Sequence, residues 1–537
     1  MKVSFKSSIL IAFLIAAVTN GAFAQTQGTP VQLRLEPVTI SGMPPLHSYS
    51  WAKWEGKWLI FGGRTNGLHG FQPPFAFPTA NQNGMIYVID PDSNLLWSTS
   101  ASVLPVAIRE QIISSNQQFT QDNNYLYITG GYGFASVPNS LITFPYLTRI
   151  DVNGLMQSIV QQQSILPYFS QVYDERMAVT GGHMVIVDSL LNLVMGHRFD
   201  GRYNPNNGPS FTQTYTDAIR TFTVEDSVNQ VVIRNYSETI DTLLYHKRDY
   251  NLVPQVLAGG AEVHTAFTGV FQYGIDLPWT ISVDIQGGTG SLITNFEQKL
   301  NQYHTAYAPL YDSISGRNTT IFFGGMGFYY PDSLNQIQQD SLVPFVKTIS
   351  YVQRDATGLT EGYFPIQMPG YEGSSAEFIP AEVALSGNGV IKLHALDTGD
   401  VVIGYIVGGI TSDQPNIFMQ ATGTSWASST VYKVIINTPT ASGLSNSDDQ
   451  LIPTLKLYPN PAQQHLSVEF ELTSPEKLNL EIMDQLGKSV IRMDRKWYKT
   501  GVNSERINLD VLRSGQYSVA VIKDGKIIRV ASFIKGM

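Results

Sequence analysis

The chain has 537 residues, of which 14% are charged and 11% aromatic, with 46 glycines and no cysteine. This composition excludes a disordered chain and a coiled coil, which are rich in charge and poor in aromatic residues. The lack of cysteine excludes disulfides, thiolate zinc sites and a cysteine nucleophile. The net charge of −9 argues against nucleic acid as a partner, since binding to phosphates requires a basic surface.

The N-terminus has the pattern of a secretory signal peptide. Lys2 and Lys6 precede an apolar run at 9–18, and the small residues up to Ala24 suit cleavage before Gln25. This run is too short to cross a bilayer as a helix, which needs about 20 residues. We therefore predict a signal peptide over residues 1–24, export from the cytoplasm, and no transmembrane segment in the mature chain.

A repeat follows over residues 25–437. Apolar stretches that end in a glycine pair recur at Lys57–Gly63, Tyr125–Gly131, Thr320–Gly325 and Val401–Gly409, and a loop and another apolar stretch follow each pair. Paired glycines suit a strand end where the chain bends or another backbone comes close. Each unit therefore predicts a small sheet of four strands. The lack of amphipathic helices between the strands excludes a doubly wound α/β fold.

The repeat resembles that of kelch-type β-propellers of the galactose-oxidase-like architecture. The resemblance implies an all-β domain of six blades, with a seventh left open. Degenerate units are expected at 177–201, 218–235 and 264–288, the last with Gly287 and Gly288 as its glycine pair. The stretch Val31–Leu35 is expected to add a strand to the final blade, which closes the ring and removes its sheet edges.

Long loops rich in aromatic residues follow the glycine pairs. Propeller topology places these loops on the face where the innermost strands begin. Long loops are commonly functional, and flat rings suit contact with sugars or peptides. The rings could equally fold down and plug the end of the channel. The candidate ligand-binding residues on these loops are Phe71, Phe75, Phe134, Tyr203, Phe328, Tyr329, Tyr330 and Trp426.

A second set of candidates is expected where the innermost strands begin, around the channel mouth. Imidazole and carboxylate groups there could hold a divalent metal, but a His-Ser/Thr-x-aromatic pattern that recurs with the repeat favours structural histidines. No cofactor is identified, and structural calcium held by backbone carbonyls would leave no signature in the sequence. The residues expected at the mouth are His47, Glu110, Arg176, His264, His304 and Glu382; of these, His47, Glu110, Arg176 and His304 are candidate ligand-binding residues.

Catalytic motifs do not identify a reaction. The copper chemistry of galactose oxidase needs a Tyr–Cys crosslink, and the nearest match to a sialidase box, Gly423–Trp426, lacks half of its motif. No nucleophile elbow, zinc-protease helix or phosphate loop occurs. We therefore favour a binding protein that engages a glycan or a protein. Two alternatives stay open: a carbohydrate-active hydrolase, lyase or epimerase that uses Glu110 or Glu382, and a surface scaffold for another protein.

Residues 438–450 are turn-forming and polar, as in a domain linker. The charge changes across them, from −15 over residues 25–450 to +4 over residues 451–537. In the last segment, apolar residues alternate with polar ones at 466–470, 478–482 and 517–521. This period predicts the strands of a small Ig-like antiparallel sandwich.

Several motifs in this segment occur in a fixed order, beginning with Tyr458-Pro459-Asn460-Pro461, continuing with Gly487-Lys488 and ending at Lys535. They resemble the type A C-terminal sorting domain of the type IX (Por) secretion system of Bacteroidota, with a departure at Met483 and Gln485. The resemblance implies passage through the periplasm of a Gram-negative bacterium, transport by the type IX machinery, and attachment to the cell surface or release. An unrelated Ig-like module is the alternative. The motif residues are Tyr458, Pro459, Asn460, Pro461, Gly487, Lys488, Gly515, Tyr517 and Lys535.

Overall fold

The computed structural model describes residues 30–70, 75–204, 210–227, 230–257, 260–417, 423–438, 455–484, 488–523 and 526–536. The signal peptide with its cleavage site at Ala24 and Gln25, the linker after Thr438, and Phe71, Gln485 and Gly487 lie outside these ranges. The chain forms two compact units. The first extends to Ile436, and the second comprises the residues from Asn437 onward together with Leu396–Val401.

The first half of the first unit is built mainly of strands. Short 3-10 turns at Thr79–Asn81, Ala101–Val103, Leu166–Tyr168 and Glu175–Met177 connect some of them. Its elements are β1 (Gln32–Val38), β2 (Ser50–Trp54), β3 (Lys57–Phe61), β4 (Met85–Asp90), β5 (Leu95–Ser100), α1 (Val106–Ile112), β6 (Ser115–Asp122), β7 (Tyr125–Ala135), β8 (Ser140–Thr143), β9 (Tyr146–Asp151), α2 (Val152–Val160), β10 (Phe169–Tyr173), β11 (His183–Val187), β12 (Leu190–Val194), β13 (His197–Gly201), β14 (Phe211–Tyr215), β15 (Ala218–Ser227) and β16 (Gln230–Ile240).

The second half continues in the same way, with a 3-10 turn at Leu393–Ala395. Its strands are β17 (Asn251–Val256), β18 (Glu262–Phe267), β19 (Val283–Gln286), β20 (Thr289–Leu292), β21 (Tyr307–Asp312), β22 (Arg317–Phe323), β23 (Tyr329–Pro331), β24 (Ile337–Gln339), β25 (Thr348–Asp355), β26 (Gly358–Gln367), β27 (Tyr371–Ser374), β28 (Glu377–Pro380), β29 (Ile391–Lys392), β30 (Gly399–Val407), β31 (Ile410–Ser412), β32 (Ser425–Ala427) and β33 (Val431–Thr438).

The strands of this unit form six blades in the described part of the chain. In sheet order they are β2-β3-β4-β5, β6-β7-β9-β10, β11-β12-β15-β16, β17-β18-β19-β20, β21-β22-β25-β26 and β28-β30-β33-β1. The first strands of all six sheets line one central cavity, so the sheets are arranged as a propeller around a channel. As the sequence predicts, β1 supplies the outermost strand of the last blade and closes the ring.

Apolar side chains hold neighbouring blades together. Phe61 and Val88 of the first blade pack with Leu126 and Ile128 of the second, and α2 adds Leu155 to the same core. Similar clusters join the second blade to the third, the third to the fourth, the fourth to the fifth, and the last to the first. Burial of apolar surface between the sheets therefore stabilises the ring.

Backbone hydrogen bonds connect the blades at one end of the channel. The N–H of Gly63, after the second strand of the first blade, donates to the Ser114 carbonyl before the second blade at 2.9 Å. Gly131, Gly196 and Gly325 make the equivalent bond to the next blade. Gly409 of the last blade donates to the Leu46 carbonyl of the first at 2.8 Å, which joins the two ends of the ring.

The predicted unit boundaries are wrong in the middle of the ring. Gly287 and Gly288 form the turn between β19 and β20, the outer hairpin of the fourth blade, and do not end its second strand. The residues that end the second strands of the third and fourth blades are Met195–Gly196 and Thr268–Gly269. They have the same left-handed backbone as the glycine pairs elsewhere, but only one glycine each.

The second unit is a small β-sandwich. Its strands form two sheets, in which the alternating residues predicted from the sequence are buried, among them Leu466, Val468, Leu480 and Val519. The strands are β34 (Leu455–Tyr458), β35 (His465–Leu472), β36 (Glu476–Met483), β37 (Ser489–Arg492), β38 (Lys496–Tyr498), β39 (Gly501–Asn508), β40 (Gly515–Lys523) and β41 (Lys526–Lys535).

Candidate functional site

The loops that follow the second strands form a rim on one face of the propeller. Several carry small sheets of their own: β8 extends β7, β13 pairs with β14, β23 with β24, and β31 lies between β27 and β32. These loops surround the end of the channel at which the innermost strands begin.

Five rings from three blades pack together within the rim. His69 stacks on Phe77 with ring centroids 4.3 Å apart, and Phe77 meets the edge of Tyr132 at 5.2 Å. Tyr132 in turn contacts Phe199 at 5.2 Å, and Tyr203 lies 5.0 Å from His69. We call these five residues the aromatic plug. Phe134, a predicted ligand residue like Tyr203, also packs against this cluster.

A second apolar cluster joins the loops on the other side of the rim. Leu68 of the first blade and Leu277 of the fourth pack around Met326 and Phe345 of the fifth and Ile410 of the last. The rim loops are therefore held against one another on both sides. Many of their aromatic rings fold inward and pack on one another. This is the arrangement expected if the rings plug the end of the channel and do not bind a ligand.

Two of the predicted ligand-binding rings stand in solvent instead. Phe75 is 73% exposed and Trp426 is 47% exposed. Their loops adjoin, because Asn66 forms a β-bridge with Trp426 and the Leu68 N–H donates to the Ser425 hydroxyl at 2.9 Å.

Three predicted ligand residues lie together on the loop of the fifth blade. Phe328, Tyr329 and Tyr330 are half-buried, at or next to the start of β23. Phe328 and Tyr329 contact each other with ring centroids 4.6 Å apart. These rings are thus partly available at the rim.

The channel contains a cavity of ≈ 160 Å³. Residues from all six innermost strands or the turns before them line it, including Asn116, His183, Asp249, His304 and Glu377. The Glu377 carboxylate accepts a hydrogen bond from the Trp51 indole at 3.2 Å. Burial raises the pKa of Glu377 to about 7, although this hydrogen bond acts in the opposite direction.

The channel mouth brings together basic groups and imidazoles. Arg248 is paired with Asp249 at 2.8 Å, and His304 Nδ1 lies 4.0 Å from the same carboxylate. His47 Nδ1 contacts the Ser48 hydroxyl at 3.0 Å. Burial and, secondarily, Arg64 lower the pKa of His47 to about 3, so this imidazole is neutral at physiological pH. His47 and His304 thus lie where the sequence places them.

The other four residues expected at the mouth lie elsewhere, and their predicted placement is wrong. Glu110 is buried on α1, where it accepts the Ser136 N–H, and Arg176 binds Asp174 in a 3-10 turn. The inserted turns of helix displace both from the strand starts. His264 and Glu382 are displaced for a different reason, because the innermost strands begin at other residues.

In the fourth blade the innermost strand starts at Asn251, so His264 falls on the second strand and pairs with Pro254. In the last blade β28 starts at Glu377, so Glu382 follows the far end of the strand. There it forms an ion pair with Lys53 at 3.0 Å.

Sequence reasoning missed Arg64, Arg248, Asp249 and Glu377. Arg64 had a usable signal, since it directly follows the glycine pair of the first blade. The other three residues lie at the starts of the fourth and last blades. There the repeat is degenerate, or the innermost strand was predicted to begin at the wrong residue. Within the described ranges, no three imidazole or carboxylate side chains converge as the ligands of a metal ion would.

The predicted sorting motif holds the ends of the sandwich together. The Asn460 side chain accepts the Ile534 N–H at 2.9 Å, and the Ala462 N–H donates to the Ile534 carbonyl at 2.8 Å. Tyr458, Gly515 and Lys535 stand at strand ends, with Pro459 and Pro461 flanking Asn460. The Lys488 N–H donates to the Asp484 side chain at 3.0 Å, and the Tyr517 hydroxyl donates to the Arg513 carbonyl.

Comparison with known proteins bears on the second unit. Residues 456–535 match the family of secretion system C-terminal sorting domains. This domain indicates export by the type IX system to the cell surface or out of the cell, and it makes the type IX machinery a partner. No helix among the described residues has the length and apolar character of a membrane span.

For the whole chain the likeness is weaker. A solved structure of YjhT is similar at 11% identity with a TM-score of 0.41, covering 74% of this chain and 100% of that one. No curated protein sequence matches the chain. The blade count given above follows from the strand pairing of the molecule itself.

Proposed function

We propose that this chain is an exported binding protein whose propeller holds a glycan at its rim. One observation carries the proposal: Phe75 and Trp426 remain exposed on adjoining loops, whereas the neighbouring rings are packed into the aromatic plug. Large aromatic rings left in water are a common mark of a binding surface.

The rim is suited to present these rings in a fixed arrangement. The plug and the second apolar cluster hold the loops from below, and the Leu68–Ser425 hydrogen bond ties the two loops together at 2.9 Å. Less conformational freedom is then lost on binding, which raises affinity. Phe328 to Tyr330 extend the available aromatic surface across the rim.

No comparable observation favours the enzyme alternative. Glycoside hydrolysis generally needs two carboxyl groups about 5–10 Å apart across the scissile bond. Glu110 is held by the Ser136 N–H on α1, and Glu382 is paired with Lys53 beyond the far end of β28. These two carboxylates belong to different parts of the propeller.

The test is a binding screen with the exported protein against bacterial, algal and host polysaccharides, in which retained and cleaved ligand are measured together. Phe75→Ala and Trp426→Ala should each weaken binding by about 1–3 kcal/mol if these rings anchor the ligand. Tyr173→Ala is the control, since this ring is 58% exposed on β10, the outer strand of the second blade.

Each result decides between functions. Retention that is lost in the rim variants and kept in the Tyr173 variant supports glycan binding at the rim. Cleavage products would replace the proposal with an enzyme. Failure to retain any polysaccharide, together with capture of a protein by the same rim residues, would replace it with a protein-binding function.

A further inference from the structure

We infer that the channel mouth binds a small oxyanion between Arg64 and His47. This site lies below the rim and does not depend on Phe75 or Trp426, so it stands whether or not the rim binds a glycan. The group bound there is a carboxylate, sulfate or phosphate, either as a free ion or as part of an acidic sugar.

Arg64 is a buried cation without a counter-charge among the described residues. It is only 3% exposed. Its Nε donates to the Asn66 side chain at 3.1 Å and its Nη2 to the Pro78 carbonyl at 2.7 Å, so both partners are uncharged. A guanidinium has five N–H donors and matches planar and tetrahedral oxyanions well. Burial of a charge costs free energy unless the charge is paired. A bound anion would pair with Arg64 and remove this cost.

His47 provides an independent observation. It is 5% exposed, and its Nε2 is buried with no hydrogen-bond partner in the described structure, whereas Nδ1 is held by Ser48. Buried polar atoms are nearly always paired, so this nitrogen is available to a ligand atom or a water molecule. In the tautomer in which Nδ1 accepts from the Ser48 hydroxyl, the neutral ring carries its proton on Nε2 and can donate it.

The backbone places these two side chains together. His47 and Arg64 are directly opposite each other in an antiparallel bridge, with N–O distances of 3.2 and 3.0 Å. Residues opposite each other in such a bridge project to the same side, with Cβ atoms about 5 Å apart. The two side chains therefore leave the bridge on the same side, and the Arg64 charge acts on the His47 imidazole, since it helps to lower the pKa of that ring.

The surrounding groups leave this space with one net positive charge. Arg248 and Asp249 neutralise each other at 2.8 Å. Burial lowers the pKa of His69 to about 4 and also lowers the pKa of His304, so both rings are neutral near pH 7. The channel cavity of ≈ 160 Å³ is lined by Ser48, Asp249 and His304, so it adjoins the residue that follows His47.

The experiment measures anion binding to the full-length exported protein by calorimetry and by thermal unfolding. Sulfate, phosphate and glucuronate are titrated separately at constant ionic strength, with chloride as the balancing ion. We expect saturable binding of at least one of them, weakened at least tenfold by Arg64→Gln. Arg317→Gln is the control, because Arg317 is paired with Asp355 at the opposite end of the fifth blade and should not affect the affinity.

The three probes distinguish the sources of the anion. Binding of glucuronate alone assigns the site to an acidic sugar, and binding of sulfate or phosphate assigns it to a free or sugar-borne tetrahedral anion; each result supports the site. If none of the three binds saturably, or if folded Arg64→Gln binds as tightly as the parent, the inference is wrong.

Two further variants keep the test decisive if Arg64→Gln does not fold. His47→Gln leaves the Arg64 charge in place but replaces the imidazole ring, and Arg64→Lys keeps the charge but loses the forked donors. We expect each to weaken binding severalfold. Unchanged affinity in both variants would overturn the inference.

Discussion

The second strand of every blade ends in two consecutive residues with left-handed backbone. Four blades use two glycines, whereas Met195–Gly196 and Thr268–Gly269 have φ values of 51° and 85°, and 55° and 99°. A side chain is thus accepted at the first position of the pair in these two blades. At the second position a glycine stands in every blade, since a Cβ there would meet residues at the start of the same blade's innermost strand. In the four glycine pairs, a Cβ at the first position would meet the next blade.

The first glycine of the second blade tests this account of close packing. Gly130 has φ 62°, and a Cβ there would overlap the Val179 carbonyl oxygen of the next blade. Gly316 has a similar φ of 66°, but a Cβ there meets nothing within 4 Å. Gly316→Ala should cost about 1 kcal/mol for the left-handed backbone alone. Gly130→Ala should cost at least about 3 kcal/mol in the free energy of unfolding.

Denaturant unfolding of the two alanine variants gives both costs. Because the φ values match, the difference between them measures the contact between blades. Equal losses would show that the Gly130 position is free to adjust, contrary to the account.

Glu377 makes the stability of the propeller depend on pH. Its pKa is about 7 in the folded state against an ordinary value of 4.5, since burial disfavours the charged form. The folded state therefore holds the proton more tightly, and stability that is full below pH 4.5 is lost as the pH rises through about 7. The loss should be on the order of 2–3 kcal/mol.

Glu377→Gln cannot ionise and should not show this loss. The difference in unfolding free energy between the parent and the variant should therefore change between pH 5 and pH 8, with the variant gaining relative stability at the higher pH. Parallel curves over this range would contradict the assignment of a raised pKa to Glu377.

At the scale of elements, the sequence was enough for the blades with clear glycine pairs and for the closing strand β1. The third and fourth blades were misplaced because a glycine pair also suits an ordinary hairpin turn, as at Gly287 and Gly288 between β19 and β20. Their second strands end with a single glycine, so the pattern used to find the repeat was absent there.

The rim could be predicted as a place rich in aromatic residues, but not in its division into packed and exposed rings. Phe77, Tyr132 and Phe199 come from three blades and meet only when the ring is closed. Spacing along the chain does not report such contacts. The same applies to the channel mouth, where inserted helical turns displaced Glu110 and Arg176 from the positions that a regular repeat would give.

At the scale of the whole molecule, the two units have separate roles. Residues 456–535 match the secretion system sorting domain, and the propeller precedes them. Deletion of residues 455–537 should therefore retain the propeller inside the cell, in the periplasm, as fractionation and surface labelling would detect. The Phe75→Ala variant with its sorting domain intact is the control and should be exported normally. Normal surface display of the truncated protein would contradict the role of the second unit.

The central claim, that the rim of the propeller is the binding face, is tested most directly by hydrogen–deuterium exchange of the exported protein with and without the polysaccharide it retains. We predict slower exchange in the bound state at residues 64–70, 75–83 and 423–430, in the adjoining loops of the first and last blades. The turns at the opposite face, at residues 55–56, 123–124 and 314–316, should exchange at unchanged rates. Protection confined to those turns would contradict the account.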